Sequence, residues 1–473
     1  MTRSNLIGGE MLNWSDLHPV DARPAAAAPA ATALLAAALQ PGDSVLIAGP
    51  HAVDVITTVA TRVTSVDLLL RSAPDAEEIA ELLDDTKGQV FCGALDRFGA
   101  DETYDVIIAL DGLERLVGPD TPKLTWTEAL ARLQSRLAPT GRLLLGAQNS
   151  FGVERLIQPV ITAALPRDED WARDVADTAP AGLKPLQTAL SDAGIEVAQT
   201  YAVFPSLVEA EVALTAVDGL AAVAAAKAVA ARNAGPTLMD PYRLVLDAAE
   251  AGLGRDLAPA WYFVGRADGQ APSSRPEGAA PSVLPEAAVP SGSGVLLEEY
   301  LLAALRVDDQ ATLRRIIPDY VAWLGGGGAG SPDNVILDGA SYRLFGEAQD
   351  GDVVTHLTRF ARRVLESGSR QPWPAGGDPH ALTARLASMA GITVTEEVSA
   401  SAEVIRPMGS AEQLATVARL ADELAHASAR AILFEGTVSG IRRSLPYRVG
   451  HAVLNPARVI RRRAKRLLRK VRR

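Results

Sequence analysis

The chain has 473 residues, of which 48% are hydrophobic and 5% aromatic, and its formal net charge is −11. This length accommodates two or three domains with at least one sizeable core. The single cysteine, Cys92, excludes an internal disulfide framework and favours a reducing compartment. The N-terminus has no secretory pattern, and the longest apolar stretch, residues 25–39, is too short to span a bilayer, so we expect a cytoplasmic protein.

Apolar runs and helix-like stretches alternate through the first half of the chain. The runs that predict strands cover residues 45–48, 63–70, 89–92, 104–110, 142–146, 195–204 and 260–265. The stretches that predict helices cover residues 53–62, 76–85, 127–137, 220–232 and 241–251. Strands that alternate with helices imply a parallel sheet with right-handed crossovers.

The loop after the first strand is unusual. An apolar strand that runs into a glycine turn and then a helix is the usual start of a nucleotide-binding α/β domain. Such loops normally carry two or three glycines, whereas Gly49-Pro50-His51-Ala52-Val53 contains Gly49 alone. The scaffold therefore indicates a cofactor enzyme, and its key loop departs from the usual pattern.

Residues 30–266 resemble the class I S-adenosylmethionine-dependent methyltransferases. The resemblance rests on the strand pattern, on the Leu-x-Pro-x-Gly turn at residues 137–141, and on Gln148-Asn149-Ser150-Phe151-Gly152. That last segment is similar to a Glu-Asn-x-x-Gly motif of methyltransferases encoded beside glycosyltransferases for cell-surface polysaccharides, with Gln148 in place of the acid. The resemblance implies a Rossmann-like domain with a mostly parallel seven-stranded sheet over residues 1–266.

The same resemblance implies S-adenosyl-L-methionine as the cofactor and assigns residues to it. The implied cofactor-binding residues are Gly49, Pro50, His51, Asp67, Leu95 and Leu110. Asp67 stands where the family places an acid at the end of the second strand, and its two oxygens could accept hydrogen bonds from both ribose hydroxyls. His51 and Val53 replace glycines of the family loop, and Ile47 replaces its acid, so these changes could weaken or abolish cofactor binding.

The implied activity is methyl transfer to a hydroxyl of a sugar or glycan-related acceptor. Glu114 or His51 is the candidate catalytic base. A rival interpretation is a catalytically inactive methyltransferase-fold protein that acts as a binding or scaffold component of a membrane-associated glycan assembly complex. A nicotinamide-dependent oxidoreductase fits less well, because its glycine fingerprint is further from this loop. The scattered histidines and single cysteine predict no metal site.

The second half of the chain predicts a different organisation. Residues 267–294 are rich in Pro, Ala, Ser and Gly and predict a flexible linker. Residues 295–435 predict a mainly helical α+β domain of unknown role, with a β-hairpin around Asp338-Gly339. The predicted helices cover residues 295–305, 310–324 and 411–434. The glycine run at 325–330 lacks the Gly-Lys-Ser/Thr of a phosphate loop.

The C-terminal residues 436–473 form a basic tail. Thirteen Arg and Lys and no acid follow Glu435, which leaves the rest of the chain with 33 basic and 57 acidic residues. A short amphipathic helix is predicted at residues 456–473. Such a tail suits an anionic membrane surface, a nucleic acid or a merely solubilising end. Nucleic acid is the least favoured partner because stacking aromatic residues do not accompany the basic run. We therefore expect peripheral binding at the inner face of a membrane.

Overall fold

The computed structural model describes residues 4–19, 23–83, 87–99, 102–118, 120–157, 175, 177–232, 237–267, 281–366, 368–369, 371–373, 378–395 and 410–443. The chain forms two compact units, Met1–Ser410 and Ala411–Arg473. The predicted tail helix at 456–473 lies outside the described residues.

The first unit is built on a large sheet. Its strands are β1 (Asn5–Gly8), β2 (Ser44–Ala48), β3 (Ser65–Leu70), β4 (Val90–Gly93), β5 (Tyr104–Ala109), β6 (Leu137–Gln148), β7 (Ile195–Phe204), β8 (Val212–Leu214), β9 (Ala260–Ala267) and β10 (Val283–Leu284). Their order across the sheet is β1-β4-β3-β2-β5-β6-β9-β7-β8-β10. All seven predicted strands are confirmed, with ends that differ by a few residues.

The order of strands confirms the Rossmann-like methyltransferase fold class, while the strand count and direction differ from the prediction. The five strands β4-β3-β2-β5-β6 are parallel, with the reversal of order between β2 and β5 that marks a doubly wound sheet. β9, β7, β8 and β10 run antiparallel to their neighbours. The sheet is therefore a mixed one of ten described strands, because short edge strands with little periodic signal extend it on both sides.

Helices cover both faces of this sheet. They are α1 (Pro29–Ala38), α2 (Val53–Arg62), α3 (Ala73–Leu82), α4 (Trp126–Gln134), α5 (Val153–Ile157), α6 (Leu183–Asp192), α7 (Gly219–Arg232) and α8 (Pro241–Glu250). Successive residues of β2 contribute to opposite layers: Val45 and Ile47 pack with α1–α3, and Leu46 packs with α4 and α6. A strand that is buried on both faces needs a continuous apolar run, which is the pattern that β2 shows.

The remaining part of the first unit is mainly helical. It contains β11 (Val295–Leu296), α9 (Leu297–Arg306), α10 (Gln310–Gly325), β12 (Val335–Asp338), β13 (Ser341–Leu344), α11 (Val353–Glu366) and α12 (Pro379–Met389). β12 and β13 form the predicted hairpin, with Asp338 opposite Ser341 and Gly339 at a φ of +61° in the turn. Tyr320 and Phe360 are fully buried in its core. Helix α13 (Ser410–Arg443) begins at the last residue of the first unit, and the rest of it makes up the described part of the second unit; it extends beyond the predicted helix end.

The predicted linker at 267–294 differs from what the structure contains in its described part. Val283 and Leu284 form β10 and pair with β8 of the large sheet. Glu286–Ala288 then makes one turn of 3₁₀ helix. The domain boundary expected here does not separate compact units, because residues on both sides belong to Met1–Ser410. A Pro-rich composition therefore did not distinguish a linker from an ordered edge of the sheet.

Close packing of β6 against the end of β5 generates a stability prediction. A Cβ atom added to Gly146 would clash with the backbone carbonyl oxygen of Leu110, which cannot move without disturbing the sheet. Gly146→Ala should therefore lower the free energy of unfolding by about 1–3 kcal/mol, the usual cost of overpacking. Gly42→Ala is the matched control because nothing lies within 4 Å of its added Cβ. Urea unfolding of both variants measures the difference, and equal stabilities would contradict this packing.

Candidate functional site

Ligands of open α/β sheets bind beyond the carboxyl ends of the parallel strands, at the point where strand order reverses. Here that place lies between the loops that follow β2 and β5. The structure brings Gly49, Pro50, His51, Leu110 and Glu114 of the predicted site to this edge. Its chemistry depends on what each side chain already contacts.

The glycine loop pairs with an N-terminal segment of the same chain. Gly49 has a left-handed φ of +87°, which favours glycine, and its amide donates to the carbonyl oxygen of Leu69 over 3.0 Å. The carbonyl oxygen of Pro50 accepts from the amide of Ala26, and the amide of Ala52 donates back to Ala26. Backbone groups of this loop are therefore occupied by the chain itself.

His51 is fully buried beneath this loop. Its Nδ1 atom lies 3.0 Å from the carbonyl oxygen of Gly49, and the amide of Leu110 donates to its Nε2 atom over 3.2 Å. Since Nε2 accepts, the neutral ring carries its proton on Nδ1 and donates it to Gly49. Burial lowers the pKa of His51, although the charge of Asp111 opposes the shift. The side chain thus ties β2 to β5, and neither ring nitrogen is available to act as a base.

Asp67 does not lie at this edge. The second predicted strand is β3 of the structure. The prediction that Asp67 ends it is wrong, because β3 continues through the apolar run to Leu70. The carboxylate is buried and accepts hydrogen bonds from the amide of Gln89 and the hydroxyl of Tyr104, each over 2.8 Å. Burial and the adjacent Asp67 charge raise the pKa of Tyr104. Asp67 therefore joins the beginnings of three strands, and this geometry does not support a role at a cofactor ribose.

Arg71 is the residue that follows the end of β3. Its guanidinium is buried and donates from Nε and Nη2 to the two carboxylate oxygens of Asp16, each over 2.8 Å. Nη1 donates to the carbonyl oxygen of Val117 in the loop after β5. Burial alone would raise the pKa of Asp16, but the hydrogen bonds and charge of Arg71 outweigh this and hold the pKa below its usual value. The pair is a bidentate ion pair, and Arg71 connects the loops after β3 and β5 to the N-terminal segment.

Asp75, in the first turn of α3, secures the same segment. Its carboxylate accepts from the hydroxyl of Ser15 over 2.6 Å and from the amide of Asp16 over 2.7 Å. The hydroxyl of Ser72 donates to the carbonyl oxygen of Trp14 over 2.6 Å. Acceptors near a helix N-terminus are favoured by the helix dipole, so this carboxylate is well placed as an anchor. Residues 14–17 are thus held at the end of β3 and the start of α3.

A second arginine–aspartate pair lies within the loop after β5 and connects it to the N-terminal segment. The guanidinium of Arg115 donates from Nε to Asp111 Oδ2 over 2.8 Å and from Nη2 to Asp111 Oδ1. It also donates to the carbonyl oxygens of Arg23 and Pro24, each over 2.7 Å. The side chain of Arg23 adds a hydrogen bond to Asp111 Oδ2 over 3.0 Å. Both members of the Asp111–Arg115 pair are buried. This second pair fastens residues 23–24 to the sheet edge.

Of the two predicted catalytic residues, Glu114 is the one with a side-chain atom that makes no hydrogen bond to the described residues. Its Oε2 atom is buried and accepts no hydrogen bond from the described residues, and the Arg23 guanidinium lies 3.8 Å away. Burial raises the pKa of Glu114, while the charge of Arg23 opposes that shift. A carboxylate whose pKa is raised is a stronger base than an exposed one. Glu114 therefore remains the candidate base among the predicted residues.

The Asn149–Gly152 segment is explained by packing. The side-chain amide of Asn149 donates to the carbonyl oxygens of Asp256 and Ala258 over 2.9 and 2.8 Å, and its oxygen accepts from the amide of Phe151. A Cβ on Gly152 would lie 2.8 Å from the Cα of Pro259. These contacts join the end of β6 to the loop before β9. The motif therefore has a structural role in this chain.

The residues at the carboxyl edge differ from the set that the resemblance assigned to S-adenosylmethionine. Arg71, not an acid, follows β3, and a guanidinium offers hydrogen-bond donors only. Those donors are already used by Asp16 and Val117. Leu95 and Leu110 are buried in the two core layers of the sheet. The charged groups at this edge were not predicted from the sequence. They are Asp16, Arg71, Asp111 and Arg115, and they bind one another and the backbone.

A separate cavity of about 390 Å³ lies in the first unit and is lined by none of the edge residues described above. Its walls combine small apolar side chains of α7 with Tyr242 and Phe345 and a few polar groups. The polar residues at its wall are Glu211, Lys227, Asp333, Gln349 and Arg363. A mainly apolar cavity of this size with a few polar groups is typical of small-molecule sites.

The described residues meet the requirements of neither a metal site nor a membrane-spanning helix. The described residues contain no group of three or more His, Cys, Asp or Glu that could hold a metal ion. None of the helices described here is both long and apolar enough to cross a membrane.

Comparison with known proteins finds solved structures only. No family model and no curated protein matches the chain. Similar structures include the complex of the Haloferax volcanii Trm112 methyltransferase activator with a methyltransferase (15% identity, 51% of this chain and 89% of that chain, TM-score 0.31). The Mycobacterium tuberculosis cyclopropane synthase MmaA2 is 15% identical over 50% of this chain and 81% of its own, with a TM-score of 0.27. The Bradyrhizobium japonicum N-methyltransferase NodS, solved with S-adenosyl-L-homocysteine, is 11% identical over 50% and 83%, with a TM-score of 0.27.

The buried Asp16–Arg71 pair generates a stability prediction with a pH dependence. Asp16→Ala leaves a buried, unpaired guanidinium and should lower the free energy of unfolding by about 3–5 kcal/mol near neutral pH. Because the folded-state pKa of Asp16 is lowered, the stabilisation is fully present above the unfolded-state pKa of about 3.9 and disappears as the pH falls through the folded-state value. The difference between wild type and variant should therefore shrink in acid.

The matched control is Glu209→Ala, which breaks the exposed Glu209–Arg232 pair. That pair has an N–O distance of 2.8 Å, and its side chains are 51% and 40% exposed. Its loss should cost less than about 1 kcal/mol because solvent screens both charges. Chemical unfolding at several pH values measures both variants. Similar losses for the two would contradict the assigned importance of the buried pair.

Proposed function

We propose that this protein keeps the fold of class I methyltransferases but acts as a non-catalytic binding or scaffold protein. The single observation that carries the proposal is the Asp16–Arg71 pair, which occupies the sheet edge where the cofactor of this fold class is expected. The fold is retained because its cores depend on apolar periodicity, which is independent of the residues at the edge.

The energy of the buried pairs supports this proposal. A ligand that entered between β2 and β5 would have to separate Asp16 from Arg71 or displace Arg115 from Asp111. Separating one buried pair costs about 3–5 kcal/mol when the partner charge stays buried. At about 1.4 kcal/mol per tenfold in Kd, that cost weakens binding by roughly two to three and a half orders of magnitude. A closed edge therefore disfavours turnover with S-adenosylmethionine at ordinary concentrations.

A binding role needs another surface, and the first unit offers one. The cavity lined by α7, Tyr242 and Phe345 has about 390 Å³ of space and a mainly apolar wall. Small apolar residues on α7 leave this space open, since alanines occupy most of the helix positions that face it. We propose this cavity as the site for a small molecule or an apolar partner side chain.

The second candidate function is S-adenosylmethionine-dependent methyl transfer to a hydroxyl of a sugar or glycan-related acceptor. It is favoured by the strand order, by the left-handed Gly49 and by a Glu114 oxygen that accepts no hydrogen bond from the described residues. S-adenosyl-L-homocysteine, the product of such a reaction, is present in the NodS structure. In this function Glu114 would accept the proton of the acceptor hydroxyl. The edge would first have to open.

Calorimetric titration of the full chain with S-adenosylmethionine and S-adenosylhomocysteine separates the two functions. We expect no heat of binding and no change in Tm at millimolar ligand, because the buried pairs close the edge. Asp67→Asn serves as a control that alters a buried carboxylate away from this edge and should leave the result unchanged. Micromolar binding to the wild type would contradict the closed edge. A fall in kcat on Glu114→Gln with unchanged Kd would then identify the methyltransferase base.

The basic tail supports a second, independent proposal about location. We propose that residues 444–473, which carry eleven of the thirteen basic residues after Glu435, bind the anionic inner face of a membrane. Each Lys or Arg near such a surface contributes about 1 kcal/mol at low salt. The acidic remainder of the chain would be repelled by the same surface, so the tail would orient the protein on it.

Co-sedimentation with phosphatidylserine-containing vesicles tests the tail. Wild type should sediment with these vesicles but not with pure phosphatidylcholine vesicles, and added salt should release it because exposed charges are screened. A chain that ends at Arg443 keeps helix α13 and should lose the binding. Equal recovery of the two chains would contradict a membrane role for the tail.

A further inference from the structure

The second unit contains one long helix with a solvent-exposed apolar seam. Helix α13 runs over 34 residues, which corresponds to about 51 Å of helix. Leu424 and Phe434 are 69% and 70% exposed, although the burial of such side chains is normally what stabilises a helix in water. The helix therefore presents a surface that fits a partner.

The seam follows an alternating spacing of three and four residues. Its positions are Val417, Leu420, Leu424, Ala427, Ala431, Phe434, Val438 and Ile441. From Val417 to Val438 every one of these side chains is exposed. A strict average spacing of 3.5 residues, sustained over more than three heptads, is the signature of a coiled coil. Ile441 completes the spacing on the sequence pattern alone.

We propose that α13 pairs with the same helix of a second copy of this chain as a parallel two-stranded coiled coil. In heptad terms Val417 and Leu424 lie at a positions, and Leu420 and Phe434 lie at d positions. Arg430 then lies at a g position and Glu435 at the following e position. In a parallel pair in register, Arg430 of each copy faces Glu435 of the other, and these opposite charges set orientation and register.

A membrane surface fits the seam less well than a second copy. Between residues 410 and 435 the helix carries four acids, Glu412, Asp422, Glu423 and Glu435, against two arginines, Arg419 and Arg430. An anionic lipid surface would repel this excess of acids. Helices that lie in a lipid interface are instead rich in Lys and Arg on the polar face. Arg442 and Arg443 at its C-terminal end bring the whole of α13 to four acids and four arginines, so the helix lacks the cationic excess that favours a lipid surface.

Analytical ultracentrifugation of the full chain tests the pairing. Wild type should sediment as a dimer at micromolar concentration. Leu420→Glu/Leu424→Glu should raise the dimer Kd at least about 100-fold, because carboxylates at a and d would be buried without partners. The matched control is Ile432→Glu/Leu433→Glu. Those side chains are each 70% exposed on the same helix but lie outside the seam, so the control should remain a dimer.

Charge exchange tests the parallel register. Arg430→Glu should weaken the dimer, and adding Glu435→Arg should restore it, since the exchanged pair regains opposite charges. Circular dichroism of each variant checks that the chain remains folded. A monomeric wild type, a dimer that survives the seam substitutions, or equal loss in the matched control would each overturn the proposed seam. Failure of the charge exchange to restore pairing would overturn the parallel register. Association that requires anionic vesicles would instead assign the seam to a membrane.

Discussion

Two buried arginine–aspartate pairs are the constraint on which the carboxyl edge of the sheet depends. Each guanidinium holds one carboxylate with two N–H groups and uses others on backbone carbonyl oxygens of a different segment. Arg71 thereby joins β3, residue 16 and the loop after β5. Arg115 joins that loop to residues 23 and 24. Buried charges are tolerated because nearly every polar atom of both pairs has a partner, so removal of one member would strand the others.

This network occupies the position where an open α/β sheet usually binds its ligand. Open α/β sheets bind ligands where strand order reverses, and here that position is covered by the N-terminal segment of the chain. His51, placed where a glycine would let a ligand approach, instead joins β2 to β5 as a buried neutral imidazole. A fold can persist after its ligand site has changed, so the function depends on the residues at the edge and on other surfaces and not on the fold alone.

The fold was largely predictable, whereas the site was not. Seven of the ten described strands of the large sheet have an apolar run that can be recognised from the sequence, and the hairpin at Asp338-Gly339 has a two-residue turn signal. Asp67 illustrates the failure: an acid after a short apolar run suggested a strand end, but three leucines follow it and continue β3. Arg71, the charged residue directly after those leucines, was the sequence signal for the end of β3. The three outer strands β1, β8 and β10 were missed because they are too short to show a period.

The sequence by itself determined the class of fold, the succession of strands and helices, and the charge contrast between an acidic body and a basic tail. Periodicity and charge are local properties, so they can be read without knowing which segments meet. Only the tertiary structure decided that Asp16 meets Arg71 across 55 residues of chain and that both ring nitrogens of His51 are used within the protein. A side chain's chemistry depends on its partners and its burial, and distant segments supply both.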